Sequence, residues 1–493
     1  MGERWESQPE SREGQTGPAG VTDRLVVPKK PGNAGGGKEP EFKVNVRRSK
    51  NQEIDVSLKT PEKIRKLQRM FYAKAKEEPQ YRFYLLYDKV YREDILEFAY
   101  RKSKANSGAA GVEGQSFEEI ETYGRERWLR ELAQELRGKR YRADPVRRVW
   151  IEKASGGKRP LGIPTIRDRV VQTAVVLVIG PIFEADLEPE QYGYRPKRSA
   201  QDAVKRVHQL VSSGYQEVVD ADLSGYFNTI SHQELMQSLA RRISDKHLLR
   251  LIKGWLKAPV VEEESSDGPS CKNGSGKGTP QGSPVSPLLA NLYFRRFILG
   301  WKRRGFHKQY EAEIVNFADD FVICCRHSAD QAQKAAQLIL TKLQLVLNEK
   351  KTRICRIPQG SVTFLGYTIG RCYSTRTGKP YIGTRPSKQR INRICREIRE
   401  DTSPRWLLLD SAVMVGRLNR KLLGWSNYFR LGSVSKAYRV VDSHTRYRLR
   451  QWLRKKHQVP TAGTTRFSDE YLYQELRLVR LEQRTRDLPW AKA

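Results

Sequence analysis

Long apolar runs, paired cysteines and acidic balance are what this 493-residue chain has little of. A membrane-spanning helix needs roughly 20 consecutive apolar residues. The best run here, Val170–Val178, is short and broken by Gln172 and Thr173, so a membrane protein is excluded. The first 20 residues are polar, and no secretory leader is expected. Six cysteines, at 271, 324, 325, 355, 372 and 395, show no two-residue zinc spacing and are too few for a disulfide scaffold. Each reads as a small buried hydrophobe in a reducing cytoplasm, the bacterial cytosol or nucleoid. Acidic residues are outnumbered: 56 Asp+Glu face 91 Lys+Arg, a formal charge of +35. Such an excess repels itself unless a polyanion neutralises it, which points to nucleic acid.

The charge is concentrated. Residues 371–493 carry 28 Lys+Arg against 10 Asp+Glu, about half the net charge in a quarter of the chain. A surface that tracks phosphates would need that bias. Residues 1–50, rich in Gly, Pro, Ser, Glu and Lys, are expected to be a disordered basic extension. Thr60 and Pro61 open a helix whose apolar face holds Ile64, Leu67, Met70 and Phe71. Its basic faces suit solvent and RNA equally. Short strands are expected at Arg147–Ile151, Arg159–Pro164 and Glu217–Asp222, with a glycine turn at Ser155–Lys158. Ile314–Cys325 reads as two strands joined at Asp319-Asp320, and Arg167–Phe183 and Ala329–Leu347 as helices. Beyond residue 385, Arg390–Glu400, Leu407–Phe429 and Tyr438–His457 read as helices with arginine-rich faces. The order suits an α+β fold with a helical C-terminal domain.

Asp319 and Asp320 are adjacent carboxylates between apolar strands. Like charges about 4 Å apart repel by about 4 kcal/mol at an effective dielectric near 20. A divalent cation between them would turn that repulsion into binding. Asp222 ends a second acidic-apolar strand. Three carboxylates without His or Cys favour a hard, oxygen-preferring ion, Mg²⁺ or Mn²⁺. Two such ions would activate a primer 3′-hydroxyl and stabilise departing pyrophosphate. An ordinary turn would also accommodate an isolated Asp-Asp pair.

The surrounding residues carry a resemblance. Phe317-Ala318-Asp319-Asp320 resembles the catalytic box of reverse transcriptases in the form used by group II intron-encoded proteins. Gly111-Val112-Glu113-Gly114, Lys158–Pro164 with Asp168–Gln172, and Tyr192-Gly193-Tyr194-Arg195-Pro196 resemble the earlier boxes. Asp222–Phe227 and Gly278-Thr279-Pro280-Gln281-Gly282 with Ser286–Asn291 follow. Asn348, Lys351 and Thr352, then Phe364-Leu365-Gly366, resemble the last two boxes. Trp425–Phe429, Arg448-Leu449 and Trp452-Leu453 resemble the maturase-specific thumb. The likeness runs from about residue 80 to 457. Phe317, Asn228, Ser283 and Glu113 depart from the commonest pattern without touching a carboxylate, and the family's zinc-dependent endonuclease is not expected.

The resemblance implies a right-hand polymerase with fingers and an antiparallel-sheet palm, followed by an α-helical maturase or thumb domain. Its boundaries would be 51–135 for an N-terminal helical extension and upstream fingers, 136–370 for fingers and palm, 371–457 for the thumb, and 458–493 for a basic tail that suits DNA. Asp222, Asp319 and Asp320, with the carbonyl of Leu223, would hold Mg²⁺, or Mn²⁺ in its place. Arg147, Lys153 and Arg159 would meet the incoming deoxynucleoside triphosphate. Phe227 would lie under the sugar and exclude a 2′-hydroxyl, and Gln281 would line the pocket. Arg195, Lys351, Arg446, Arg448, Arg450, Arg454 and Lys455 would contact nucleic acid. Trp425 and Phe429, four residues apart, suit a helix core better than base stacking. The implied partners are the group II intron RNA, an RNA template with a DNA primer, and target DNA, without a membrane. The implied function is RNA-directed DNA synthesis and intron splicing, with a splicing-only maturase and a domesticated enzyme of repair or defence as alternatives.

Overall fold

A computed structural model describes residues 58–152, 157–262, 270–272, 276–374 and 376–487. The expected disorder of residues 1–50, Lys153 and the first half of the glycine turn, Ser155-Gly156, lie outside the described residues.

The strands form three sheets. In the first, β1 (Val146–Glu152) pairs antiparallel with β2 (Lys158–Ile163) and parallel with β4 (Val260–Glu262), which pairs with β5 (Ser270–Lys272). The second has β3 (Glu217–Asp222) between β7 (Asp320–Cys325) and β8 (Arg353–Arg356), with β6 (Ala312–Phe317) beyond β7. Every pair in it is antiparallel. The third orders β9 (Ser361–Phe364), β10 (Tyr367–Tyr373) and β11 (Pro380–Pro386) as β11-β10-β9.

Strand alternation explains how the second sheet is covered. Val219, Ala221, Phe321 and Ile323 enter one core with Phe294 and Phe297 of the helix Ser286–Arg303. Val218, Val322 and Cys324, on the opposite face, pack against Val204 and Val207 of the helix Ala200–Ser212 and against Val362 and Ile369 of the third sheet. Ser199 and Asp202 close a capping box that starts that helix. Both faces of the sheet are therefore buried, and only its ends are open to chemistry.

The helix Ile166–Asp186 is apolar nearly all round and becomes a central pillar. The first described helix runs over Glu62–Glu77, with Ile64 and Leu67 buried and Met70 exposed. Thr60 does not cap it: its hydroxyl is buried with no hydrogen-bond partner among the described residues.

A third core joins the helices Lys388–Asp401, Ser411–Tyr428 and Ser435–Lys456. Asp410 caps the second of these through the amide of Ala412 at 2.8 Å, so residues 407–410 stay outside the helix expected there. The boundaries expected at 370 and 457 do not separate packed units. Strand β10 runs through the first. After the second, Phe467, Leu472, Leu478 and Leu481 complete the same core as Val441, Leu449 and Trp452. Asp442 fixes this segment by accepting from the amides of Leu481 (3.0 Å) and Glu482 (2.9 Å). The segment read as a basic tail is thus, through residue 487, packed into the core of the helical domain.

Candidate active site

Strands β6 and β7 meet in a two-residue turn, Ala318-Asp319, as the acidic pair led one to expect. Ala318 takes a φ of 60°, a region costly for a residue with a Cβ. The buried amide of Asn316 steadies the turn, donating to the carbonyls of Ala318 (2.8 Å) and Asp320 (3.3 Å). A second brace comes from the segment before Arg195. Gln191 bridges Asn316, whose carbonyl accepts from the amide of Tyr192 at 2.8 Å. Gly193 then passes so close that a Cβ would stand 2.4 Å from the Ala318 nitrogen. Asn291 ties that glycine down, its amide donating to the Gly193 carbonyl at 2.7 Å while its own carbonyl accepts from Gln191 at 2.9 Å.

Arg195 belongs to this brace rather than to a nucleic-acid surface. Its side chain is only 6% exposed and pairs with Glu184 at 2.7 Å. It also donates to the carbonyls of Glu188 (2.7 Å) and Gln191 (2.9 Å). A guanidinium so buried needs such partners, and they hold it away from phosphate. The expected contact is corrected to a positioning role.

The register sets Asp222 directly opposite Asp320. Cross-strand neighbours have Cβ atoms about 5 Å apart and point to the same face, where like charges are destabilising. Asp319 sits in the adjoining turn. Leu223 bridges Leu347, and Asn348 brackets Asp222: its amide N–H donates to the Asp222 carbonyl at 2.8 Å and its Nδ2 to Oδ2 at 3.3 Å. Lys351, expected at nucleic acid, instead places Nζ 3.2 Å from Asp222 Oδ2, with a side chain 64% exposed. Among the described residues no three acidic, His or Cys side chains are gathered tightly enough to enclose a metal. The donor set nevertheless fits one. It is all oxygen, like-charged and paired across strands, and it already draws a lysine ammonium to one of its carboxylates.

The residues expected to meet the nucleotide are brought together by the loop 278–282. Thr279 and Gly278 donate to the carbonyls of Phe227 and Ile230, each at 2.7 Å. The Gly162 amide donates to the Gln281 carbonyl at 2.7 Å, and Gly282 lies so near the Gly162 oxygen that a Cβ would be 2.5 Å from it. Arg159 Nε bonds Gln281 Oε1 at 2.5 Å, joining two of the expected pocket residues. The antiparallel register puts Arg147, Val149 and Ile151 on the same face as Ile163, Leu161 and Arg159. Arg147 and Arg159 therefore share a face. Phe227 is 5% exposed, edge-on to Tyr226, and belongs to the first core.

The thumb reaches this sheet end. Tyr428 donates to the Leu365 carbonyl at 2.8 Å, while Tyr367 donates to the Tyr428 carbonyl. Burial pushes the Arg390 guanidinium pKa down, and Asp320 lies close enough to counter it. Burial also raises the Tyr428 phenol pKa. Trp425 and Phe429 stack in the core at 5.0 Å, as their spacing led one to expect.

Four arginines of the helix Ser435–Lys456 are held by partners within the chain. Arg446 (2.6 Å) and Arg450 both pair with Asp469, and Arg450 donates to the Phe467 carbonyl at 2.8 Å. Arg454 donates to the Val459 carbonyl at 3.2 Å. Arg448 donates to Thr402 Oγ1 at 3.1 Å. Lys455 remains exposed, its side chain with no ion pair or hydrogen bond among the described residues. The expected phosphate-facing row of Arg446, Arg450 and Arg454 is corrected: these groups clamp the segment after residue 457. Asp469 sits 23 residues beyond Arg446, so no local pattern announces the pairing.

Two family descriptions match the chain. "Reverse transcriptase (RNA-dependent DNA polymerase)" covers residues 151–369, and "Group II intron, maturase-specific domain" covers 391–472. Protein YkfC of Escherichia coli is 31% identical over 54% of this chain and 77% of its own length. The chain belongs to the reverse transcriptase–maturase family of group II introns. The group II intron-encoded protein LtrA of Lactococcus lactis is 29% identical over 58% of this chain and 57% of its own length, so this family member aligns with little more than half of LtrA. Among solved structures, the partial Cas6-RT-Cas1–Cas2 complex is similar at a TM-score of 0.31 and 24% identity, over 52% of this chain and 42% of that one. The maturase match ends at 472, within the segment that closes the third core. No helix among the described residues is long and apolar enough to cross a membrane.

Proposed function

We propose that the protein is an RNA-directed DNA polymerase of group II intron type, which also holds its intron RNA for splicing and copies it into cDNA during retrohoming. The reading rests above all on Asp222 standing opposite Asp320, with Asp319 in the adjoining turn. These carboxylates and the Leu223 carbonyl would hold Mg²⁺, which supplies activation of the primer hydroxyl and neutralises charge on departing pyrophosphate. The chain does the remaining work. Asn316, Gln191 and Asn291 fix where the carboxylates point. Arg159 and Arg147 grip triphosphate oxygens, and Gln281 releases Arg159 to line the base. Lys351 balances Asp222 until substrate arrives and then turns to the nucleic-acid backbone. Phe227 closes the space a 2′-hydroxyl would need.

Replacing Asp319 with Ala separates the two activities. Primer extension on an RNA template should disappear, while intron RNA binding and splicing continue. Extension at the wild-type rate would overturn the site, and an unsubstituted protein that supports splicing but extends no primer would be a splicing factor alone.

A further inference from the structure

The outer face of the helical domain carries a notch that the polymerase site does not use. Its volume is about 100 Å³. One wall is a ridge of Tyr447, Gln451 and Lys455, spaced by four residues on the helix Ser435–Lys456. The other wall is the connection from Thr402 to Leu407. That connection is tied to the helix by Arg448, which donates to Thr402 Oγ1 (3.1 Å) and the Thr402 carbonyl (3.3 Å), and by Lys456, which donates to the Leu407 carbonyl (3.0 Å). The walls are thus held apart by bonds rather than left loose.

The groups facing this space are unused. Tyr447 is 59% exposed, and the side chains of Tyr447, Gln451 and Lys455 make no hydrogen bond or ion pair among the described residues. Trp452 also lines the notch; it is 1% exposed, and its Nε1 donor is buried with no acceptor among the described residues. An aromatic face, an amide with both donor and acceptor, and an ammonium offer a base a stacking surface, an edge to read and a neighbouring phosphate contact. A closed cavity of about 150 Å³ admits a benzene-sized ring, so this open notch seats the edge of one ring and leaves the sugar outside. The cationic rim of Arg448, Lys455 and Lys456 favours a polyanion.

We propose that this notch takes one unstacked base of single-stranded RNA, stacked on Tyr447, read by Gln451 and flanked by a phosphate on Lys455. The proposal deepens the RNA-holding part of the function above and does not depend on polymerisation.

The test compares a 12-nucleotide oligouridine with an abasic 12-mer of equal charge, using the full chain. Wild type should bind the base-bearing strand about tenfold more tightly. Tyr447→Ala should remove most of that preference, Tyr447→Phe should keep it, and Lys455→Gln should flatten the log–log salt slope by about 0.7. An oligouridine carrying 4-thiouridine should crosslink, in wild type, to the peptide containing Tyr447, a readout that survives any folding defect in the variants. Unchanged preference in Tyr447→Ala, or crosslinks confined to other peptides, would overturn the proposal. Tyr447-dependent displacement of the RNA by polyglutamate would make the notch a protein site and overturn it equally. Failure of primer extension with the base preference intact would strike the polymerase reading and leave this one standing.

Discussion

The end of the central sheet and the long arginine-bearing helix of the thumb treat charge in opposite ways. At the sheet end, carboxylates of one sign face each other across β3 and β7, and neutral amides hold the backbone that carries them. On the thumb helix, Arg446 and Arg450 share Asp469, while Arg448 and Arg454 donate to nearby oxygens. The chain relieves the first arrangement only in part, through the exposed ammonium of Lys351 beside Asp222. The second ties its guanidiniums down geometrically, with one carboxylate and several neutral oxygens, and keeps a net positive charge. A residue's charge therefore says less about function than the partners the chain gives it.

The largest expected effect comes from breaking the first arrangement. Asp222→Ala or Asp320→Ala should lower primer extension on an RNA template by several orders of magnitude, because the charge that anchors the reaction is removed. Near wild-type extension would mean the carboxylates are structural after all. Asn316→Ala keeps every carboxylate but frees the turn. A displacement of about 1 Å at a reacting group costs on the order of 100-fold, so extension should fall about that far, with substrate binding less affected. A loss confined to the Michaelis constant would contradict the positioning role.

The second arrangement is opened by Asp469→Asn. Released from their counter-charge, Arg446 and Arg450 should steepen the salt dependence of RNA affinity by roughly one to two units and raise low-salt affinity several-fold. Replacing Arg446, Arg450 and Arg454 together with Gln should cost stability and leave that slope nearly unchanged. A strongly flattened slope in the triple variant would return these arginines to the RNA surface.

The smallest effect concerns a buried carboxyl far from either region. Burial pushes Asp168 up to about 7, despite the hydroxyl of Tyr141 and the amide of Asp144 donating to it. Its folded pKa lies above the usual value of 3.8, so the folded state holds the proton more tightly. Its destabilising contribution is absent below about pH 4, grows as pH rises towards about 7, and is then constant. The difference in urea midpoint between wild type and Asp168→Asn should therefore change across that window and level off above it. A flat difference would place the ionised form comfortably in the fold.

The strands that carry chemistry were legible because their signals are local. The hairpin at Asp319-Asp320 follows from apolar runs flanking two acids, and the strand ending at Asp222 from alternation. The helices of the thumb were legible to within a few residues, apart from the start near 407, where Asp410 imposes its own cap. Long-range polar partners were not legible. Gln191, Asn291 and Asn316 come from three separate segments, and nothing in any one of them marks a brace for the acidic turn. Arg195 looked like a phosphate ligand because Glu184 is invisible as its partner until the helix Ile166–Asp186 turns back beside it. The segment after 457 was legible only as a basic tail because its apolar residues, Phe467, Leu472, Leu478 and Leu481, are spaced irregularly and fit only a surface made by other helices.

Tyr367 and Tyr428 clasp each other's segments, one hydroxyl bonded to the other's carbonyl and the second returned to Leu365. Phe429 and Leu431 share the core of Val362 and Ile369, and Gln201 donates to the Tyr428 carbonyl as well. The joint is therefore a weld rather than a hinge, and a load on the helical domain passes directly into the third sheet.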